Sequence, residues 1–182
     1  MGSLHELDFE VKPANAPQRM MQALFWAVVA SSRPGAWLFS KTLHQQDKAL
    51  FKATSGRLTR SAFLAGLPVV MLTTTGAKTG QRRTMPLIGI PVGEDLAVIG
   101  SNYGKKNTPG WVYNLESDPL AAVGYRDRTV DVVARRADEA EADRVFDLAS
   151  AAYPGYAKYH TRADHRVIRV FVLETATPGG AL

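Results

Sequence analysis

The chain has 182 residues, 46% hydrophobic and 21% charged, enough for one globular domain with a real core and an appendage. Its 22 Lys and Arg against 17 Asp and Glu leave a net charge of +5, which favours an anionic partner without choosing one. The absence of cysteine excludes disulfides, thiolate metal sites and cysteine nucleophiles and suits a cytoplasmic location, and no basic run interleaved with aromatics points to nucleic acid.

Residues 1–16 show no period and are read as a flexible arm. Residues 17–66 read as a helical N-terminal segment. Met20 to Ala30 is apolar, flanked by Arg19 and Arg33, too short to span a bilayer and preceded by the acidic Glu6, Asp8 and Glu10 rather than a signal peptide's basic start. It reads as a core-docking helix. Peripheral membrane contact through residues 18–30 is the other reading, because Phe25, Trp26 and the arginines suit an interface. A second helix runs from Trp37 to about Phe51.

From residue 67 the pattern changes to six short strands. These are Val69–Thr75, Thr84–Pro91 (an edge or bulge at Pro86), Leu96–Ser101, Leu120–Tyr125, Thr129–Ala134 and Arg166–Leu173. Thr108 is the expected N-cap of a short helix with Pro109 at its first position, ended by Asp118-Pro119. Asp138 and Glu141 open a second helix in the manner of a capping box. Short strands with few crossover helices predict a small antiparallel barrel, β-rich α+β, with helices packed outside. Residues 67–175 form that domain and 176–182 a flexible tail. Exposed strand edges make a homodimer an expectation.

Three clusters carry candidate chemistry. The first is the turn Thr75-Gly76-Ala77-Lys78-Thr79-Gly80-Gln81-Arg82-Arg83 between two strands. Its glycines allow close approach of an anion to the backbone, its threonines offer hydroxyls and N–H groups, and Lys78 and Arg83 suit phosphate or carboxylate. A solvated basic hairpin is the competing reading. The second, Ser101 to Trp111, leads from a strand into a helix N-terminus that favours an anion, with Trp111 either a flat wall for a ring or a core residue. The third is Tyr153-Pro154-Gly155-Tyr156-Ala157-Lys158-Tyr159, an aromatic stripe or a set of hydroxyls able to orient or protonate a substrate. No P-loop, dinucleotide fingerprint or serine-hydrolase elbow is present, and the four histidines hold no metal-ligand spacing.

Leu72-Thr73-Thr74-Thr75-Gly76-x-Lys78-Thr79-Gly80-Gln81-x-Arg83, with Pro86-Leu87, Ser101…Pro109-x-Trp111-x-x-Asn114-Leu115 and Tyr153-Pro154-x-Tyr156-x-x-Tyr159, resembles the deazaflavin-dependent nitroreductase family over about residues 67–174. That resemblance implies a split β-barrel, of the FMN-binding-like kind, holding coenzyme F420. FMN is the alternative cofactor. Lys78, Thr79 and Arg83 resemble the cradle for phosphate and polyglutamate tail. Thr84, Met85, Pro86, Leu87 and Ile88 resemble the strand along the ring, and Ile99, Gly100, Ser101 and Asn102 its second wall. Gly110, Trp111, Val112, Tyr113 and Asn114 resemble the helix start against the cofactor. Tyr156 resembles the catalytic tyrosine near hydride transfer, with Tyr153 and Tyr159 closing the substrate pocket.

The implied activity is hydride transfer from F420H2 to a small electron-poor acceptor, a quinone, enone or nitroaromatic. The alternatives are a non-catalytic F420- or FMN-binding protein and a membrane-surface quinone reductase. Four positions depart from relatives. Ala77 and Asn102 stand where a cation is frequent, Arg82 where proline is frequent, and Ile88 where nitroimidazole-reducing relatives carry tyrosine.

Overall fold

The computed structural model describes residues 3–7, 9, 67–102, 106–152 and 167–176. The apolar segment 18–30, the expected second helix and the tyrosine cluster lie outside the described residues. Among the described residues, no helix is long and apolar enough to cross a membrane.

Seven strands form one antiparallel sheet in the order β2-β1-β5-β6-β7-β4-β3. They are β1 (Val69–Thr75), β2 (Arg82–Ile88), β3 (Ile90–Val92), β4 (Asp95–Ile99), β5 (Leu120–Tyr125), β6 (Arg128–Arg136) and β7 (Val170–Thr175). Two helices, α1 (Gly110–Ser117) and α2 (Glu139–Ala152), and a 3-10 turn at Leu4–Leu7 complete the described elements.

The strands at the two ends of that order, β2 and β3, are consecutive in the chain and separated only by Gly89. One extended segment pairs with β1 along its first part and with β4 along its second, so the sheet curls back on itself into a barrel. The kink belongs to Gly89. Its N–H donates to the Pro68 carbonyl at 2.9 Å, one pair beyond Val69–Ile88 and the last bond to the β1 side, and a Cβ there would stand 2.9 Å from Leu96 Cδ1. Where the residue pattern predicts one strand over Thr84–Pro91 and six in all, the break at Gly89 divides it into β2 and β3 and makes seven. Pro86 lies on an end strand of the order, where its missing N–H costs no ladder bond. The last strand starts at Val170 rather than Arg166, because Val170 is the residue that pairs with Ile99.

Two hydrophobic cores share the barrel wall. Val70, Leu72, Val98, Val123, Val132, Phe171 and Leu173 fill the interior. Ile90, Ala97, Ile99 and Val170 face outward and pack with Val145, Phe146 and Ala149 of α2. Neighbouring residues of β4 thus serve different cores, which is why the strand reads as an unbroken apolar run. Each buried valine, leucine, isoleucine or phenylalanine among them contributes roughly 1.5–3 kcal/mol.

Both ends of the interior are plugged. At one end α1 contributes Trp111, Val112 and Leu115 to the interior cluster, with the Trp111 ring edge-on to Phe171 at 6.0 Å between centroids. At the other end Leu4 and Leu7 are buried, the Leu4 N–H donates to Thr175 Oγ1 at 3.0 Å, and Arg128 Nη1 donates to the Glu6 carbonyl at 2.9 Å. Phe9 lies against Tyr125 at 5.2 Å. This corrects the flexible-arm reading for residues 3–7 and 9. A 3-10 turn eclipses positions i and i+3, so Leu4 and Leu7 stack on one side and bury together.

Two helix starts follow different chemistry. At α2 the Glu141 N–H donates to Asp138 Oδ1 at 2.8 Å, the expected cap. At α1 Pro109, not Thr108, holds the cap position, with ψ 146° and no side-chain cap bond. The Thr108 hydroxyl instead accepts from Arg169 Nη1 at 3.4 Å.

Candidate active site at the helix-plugged end of the barrel

The β1–β2 hairpin, the end of β4 and α1 meet at the α1 end of the barrel. The hairpin turn is held from within. Gly76 N–H donates to the Gln81 carbonyl at 2.9 Å, the N–H groups of Thr79 and Gly80 donate to the Gly76 carbonyl at 3.1 and 2.8 Å, and Gln81 N–H reaches Thr79 Oγ1 at 3.4 Å. Gly80 has φ +65°, a conformation glycine adopts without strain. Gly76 is required for space, since a Cβ there would stand 2.8 Å from Thr79 Oγ1 and 3.5 Å from Arg83 Nε.

Those internal bonds correct one expectation. The turn does not offer a nest of N–H groups to an anion, because the backbone of residues 76, 77, 79, 80 and 81 already donates within the protein. An anion at this hairpin meets side chains. Lys78, Arg82 and Arg83 are exposed, and none of them takes part in an ion pair among the described residues. Lys78 on the turn and Arg82 and Arg83 at the start of β2, with no acidic partner among the described residues, form an electropositive site.

Alternation sorts the residues expected along the ring. Thr84 and Pro86 are exposed on the outer face of β2. Thr84 Oγ1 lies 2.8 Å from Thr73 Oγ1 across the Thr73–Thr84 pair. Met85 and Leu87 face the other way and pack against the barrel interior, while Ile88 packs into the outer core with α2. A contiguous run was expected; a strand offers every second residue to one face.

The second wall is similarly sorted. Ile99 is buried in the outer core. Gly100 is buried and leaves no room for a side chain against Val112. Ser101 is half-buried. Asn102 takes φ 47°, which asparagine tolerates, and its Nδ2 donates to the Asn107 carbonyl at 2.7 Å. The residue standing where relatives carry a cation therefore braces its own loop. On α1, Trp111 and Val112 are core side chains, so the flat-wall reading of Trp111 gives way to the core reading. Gly110 is exposed with open space where a Cβ would go, and Tyr113 is 49% exposed with Arg169 over its ring at 5.7 Å. Asn114 is buried, its Nδ2 donating to Thr74 Oγ1 at 2.9 Å and its Oδ1 accepting from Ala77 N–H at 3.0 Å.

Arg169 was missed by sequence reasoning, which placed it inside a strand with no distinguishing signal. Its Nε lies 2.7 Å from Glu116 Oε1, so it fastens α1 to the start of β7. Tyr153, Tyr156 and Tyr159 lie outside the described residues. No group of His, Asp and Glu that would hold a metal ion occurs among the described residues.

A curled antiparallel barrel plugged by one helix, with a cationic hairpin at the plugged end, defines a cofactor-binding split β-barrel. The F420H(2)-dependent quinone reductase family matches residues 43–175, and the chain belongs to that family. It is similar to an F420H(2)-dependent quinone reductase of Mycobacterium tuberculosis, 29% identical over 128 residues, covering 69% of this chain and 85% of that one. Among solved structures it is similar to an F420-H2 dependent reductase designated FDR-A, at 37% identity and TM-score 0.54, covering 59% of this chain and 94% of that one. A second, described as a domain-swapped dimer, is 32% identical with TM-score 0.55, covering 78% of this chain and 99% of that one.

Membership makes the chain an F420H2-dependent oxidoreductase with coenzyme F420 as its cofactor. The residues present fit such a group. The exposed, unpaired cations suit a phosphate and a polycarboxylate tail, and the neutral outer face at Thr84 and Pro86 beside them suits an uncharged ring.

Proposed function

We propose that this protein reduces a quinone with hydride taken from F420H2, holding the cofactor's anionic part on the β1–β2 hairpin. The observation that carries this reading is the group of Lys78, Arg82 and Arg83, exposed and outside every ion pair among the described residues. Lys78 supplies a point charge, and Arg83 a flat fork for phosphate or carboxylate. Arg82 supplies charge on the same turn where Ala77 supplies none. Thr79 keeps its hydroxyl proton for a ligand while accepting from Gln81 N–H. Thr84 and Pro86 carry the ring, and Gly110 and Tyr113 border it from α1.

When bound, the reduced deazaflavin supplies the hydride, so the protein needs neither a metal nor a nucleophile of its own. Its task is to hold donor and acceptor in contact and to exclude water. Reduction of a quinone to a hydroquinone consumes one hydride and one proton. Tyr156 is the residue we assign to orient the acceptor oxygen or pass it that proton, with Tyr153 and Tyr159 closing the pocket. Enones and nitroaromatics share the electron-poor character of a quinone and belong to the same acceptor class. Ile88 packs against the outer core, which argues against a tyrosine-like role at that position.

The test is anaerobic oxidation of F420H2 by the purified protein with menadione, an enone and a nitroaromatic as separate acceptors. Turnover with menadione supports the reading. Tight F420 binding with F420H2 stable toward every acceptor would replace it by a non-catalytic binding protein. Preference for FMN in a parallel titration would keep the fold and change the cofactor. In Tyr156→Phe, turnover falls with little change in cofactor affinity; wild-type turnover would remove that residue from the mechanism.

A further inference from the structure

Thr74 and Asn114 are the two buried polar side chains among the described residues, exposed by 1% and 8%, and they are bonded to each other. A polar pair in a barrel interior is costly unless its bonds are made, and an apolar pair of the same size would fill the space without that cost. The bonds are made, and one of them leaves the core. Asn114 Oδ1 accepts the Ala77 N–H at 3.0 Å, at the tip of the cationic hairpin and immediately before Lys78. Asn114 thus spans from the interior end of β1 to the outermost turn, across 40 and 37 residues of sequence.

Asn114 stands one helical turn from Gly110 and Trp111, in a helix whose Val112 sits against Gly100. The same amide therefore sets where the hairpin stands relative to α1 and, through α1, to the end of β4. The turn's own bonds run within residues 76–81 and the β1–β2 ladder ends at the Thr75–Arg82 pair, so neither ties the turn to α1; the Asn114 bond does.

From this we infer that Asn114 is a positioning residue, not a ligand contact: it fixes the distance between the cations that take the anionic end of the cofactor and the helix and strand ends that border its ring. The inference rests on the cofactor reading above. It separates two contributions to binding. Loss of the Asn114 bonds releases the turn at residues 76–81, weakening whatever depends on Lys78 being held in place, while Arg83 stays paired with Thr74 in the ladder. The ring-binding face on β2, fixed by the ladder to β1, stays where it is.

The experiment titrates wild type, Asn114→Ala, Asn114→Asp and Thr74→Ser with two probes, coenzyme F420 and its deazaflavin riboside lacking phosphate and tail. Amide hydrogen exchange of the apo-proteins is measured alongside. Thr74→Ser keeps the hydroxyl and is expected to bind both probes as wild type does. Asn114→Asp keeps an acceptor for Ala77 N–H but sets a negative charge behind the cradle. Asn114→Ala removes both bonds and is expected to lose Ala77 amide protection and about tenfold in F420 affinity, with the riboside changed less than about twofold. Asn114→Asp is expected to retain Ala77 protection and, with it, more F420 affinity than Asn114→Ala, a rescue that follows the Ala77 bond.

Equal losses for both probes in Asn114→Ala, or unchanged F420 affinity with Ala77 exposed to exchange, would overturn the inference. If wild type binds no F420, the cofactor reading fails, and the inference is decided with inorganic pyrophosphate. A Lys78 amide resonance that shifts in wild type and not in Asn114→Ala supports it; a shift absent from wild type, or equal in the two proteins, overturns it.

Discussion

The Gly100 N–H donates to the Arg169 carbonyl at 2.8 Å, and the two residues tie the end of β4 to the approach to β7 directly beside α1. A Cβ on Gly100 would stand 2.9 Å from Val112 Cγ2 and 3.0 Å from the Arg169 carbonyl oxygen. The valine methyl has some freedom to turn away, but the carbonyl is backbone and holds the bond. Gly100→Ala is therefore expected to push α1 outward and to destabilise by about 1–3 kcal/mol, the usual cost of overpacking. Chemical denaturation checks it; a midpoint equal to wild type would show that the strand end gives way freely.

Lys78 and Arg83 should act through charge. Lys78→Ala and Arg83→Ala are each expected to weaken F420 binding by about tenfold, the scale of one charge-assisted hydrogen bond in an exposed setting. The loss should shrink as salt is raised, because exposed charges are screened within about 8 Å at physiological ionic strength. Arg83→Lys should recover part of the affinity and not all, since a point charge cannot replace a planar fork. Fluorescence titration at two salt concentrations measures this. A salt-independent affinity in wild type would remove the electrostatic account of the hairpin.

Leu4 tests the plug at the other end of the barrel. Its side chain is fully buried in the interior cluster, so Leu4→Ala should destabilise by about 2–5 kcal/mol. A flexible arm would give no change. Thermal unfolding distinguishes the two, and His5→Ala, which alters an exposed side chain of the same turn, serves as the comparison expected to stay near wild type.

What was legible in the sequence follows from local chemistry. The β5–β6 hairpin at Arg126-Asp127, the Asp138 cap and the end of α1 at Asp118 each depend on neighbours in the chain, and each was expected where it occurs. The cationic hairpin was visible because glycines and cations crowd into one turn. The break at Gly89 was not visible, because it answers to Leu96, a residue on another strand. Which of Thr84 to Ile88 face outward depends on the barrel's curl, so a motif could supply the run but not the alternation. The split of roles on α1 was hidden for the same reason: Trp111, Tyr113 and Asn114 are separated by a turn or less, yet one fills the core, one faces out, and one holds the hairpin. The short Leu4–Leu7 turn carried a signal, two leucines three apart, that passed for noise beside the prolines that follow it.

The outer wall carries a charge cluster whose pH dependence has a definite sign. The Arg135 guanidinium donates to both carboxylate oxygens of Glu141 at 2.6 and 2.9 Å and to Glu174 Oε1 at 2.7 Å. That hydrogen bonding, ahead of a smaller opposing effect of burial, holds the Glu141 carboxyl below its ordinary 4.5. A carboxylate with a depressed value in the folded state stabilises fully above its unfolded value, and the contribution is lost as pH falls through the folded value. Asp95 titrates in the other sense, its carboxyl raised first by burial and then by Glu174. Glu141→Gln leaves Asp95 in place and isolates the Glu141 contribution. At pH 7 the variant is expected to be less stable by about 1 kcal/mol, the upper end for an exposed pair, since Arg135 is 44% exposed and its bidentate geometry favours the bond. The gap should close progressively once the pH drops below 4.5, as wild-type Glu141 takes up its proton and the pair is lost in both proteins. Urea denaturation across that range reads the gap directly. A gap that stayed constant or widened toward acid would remove the Glu141 assignment.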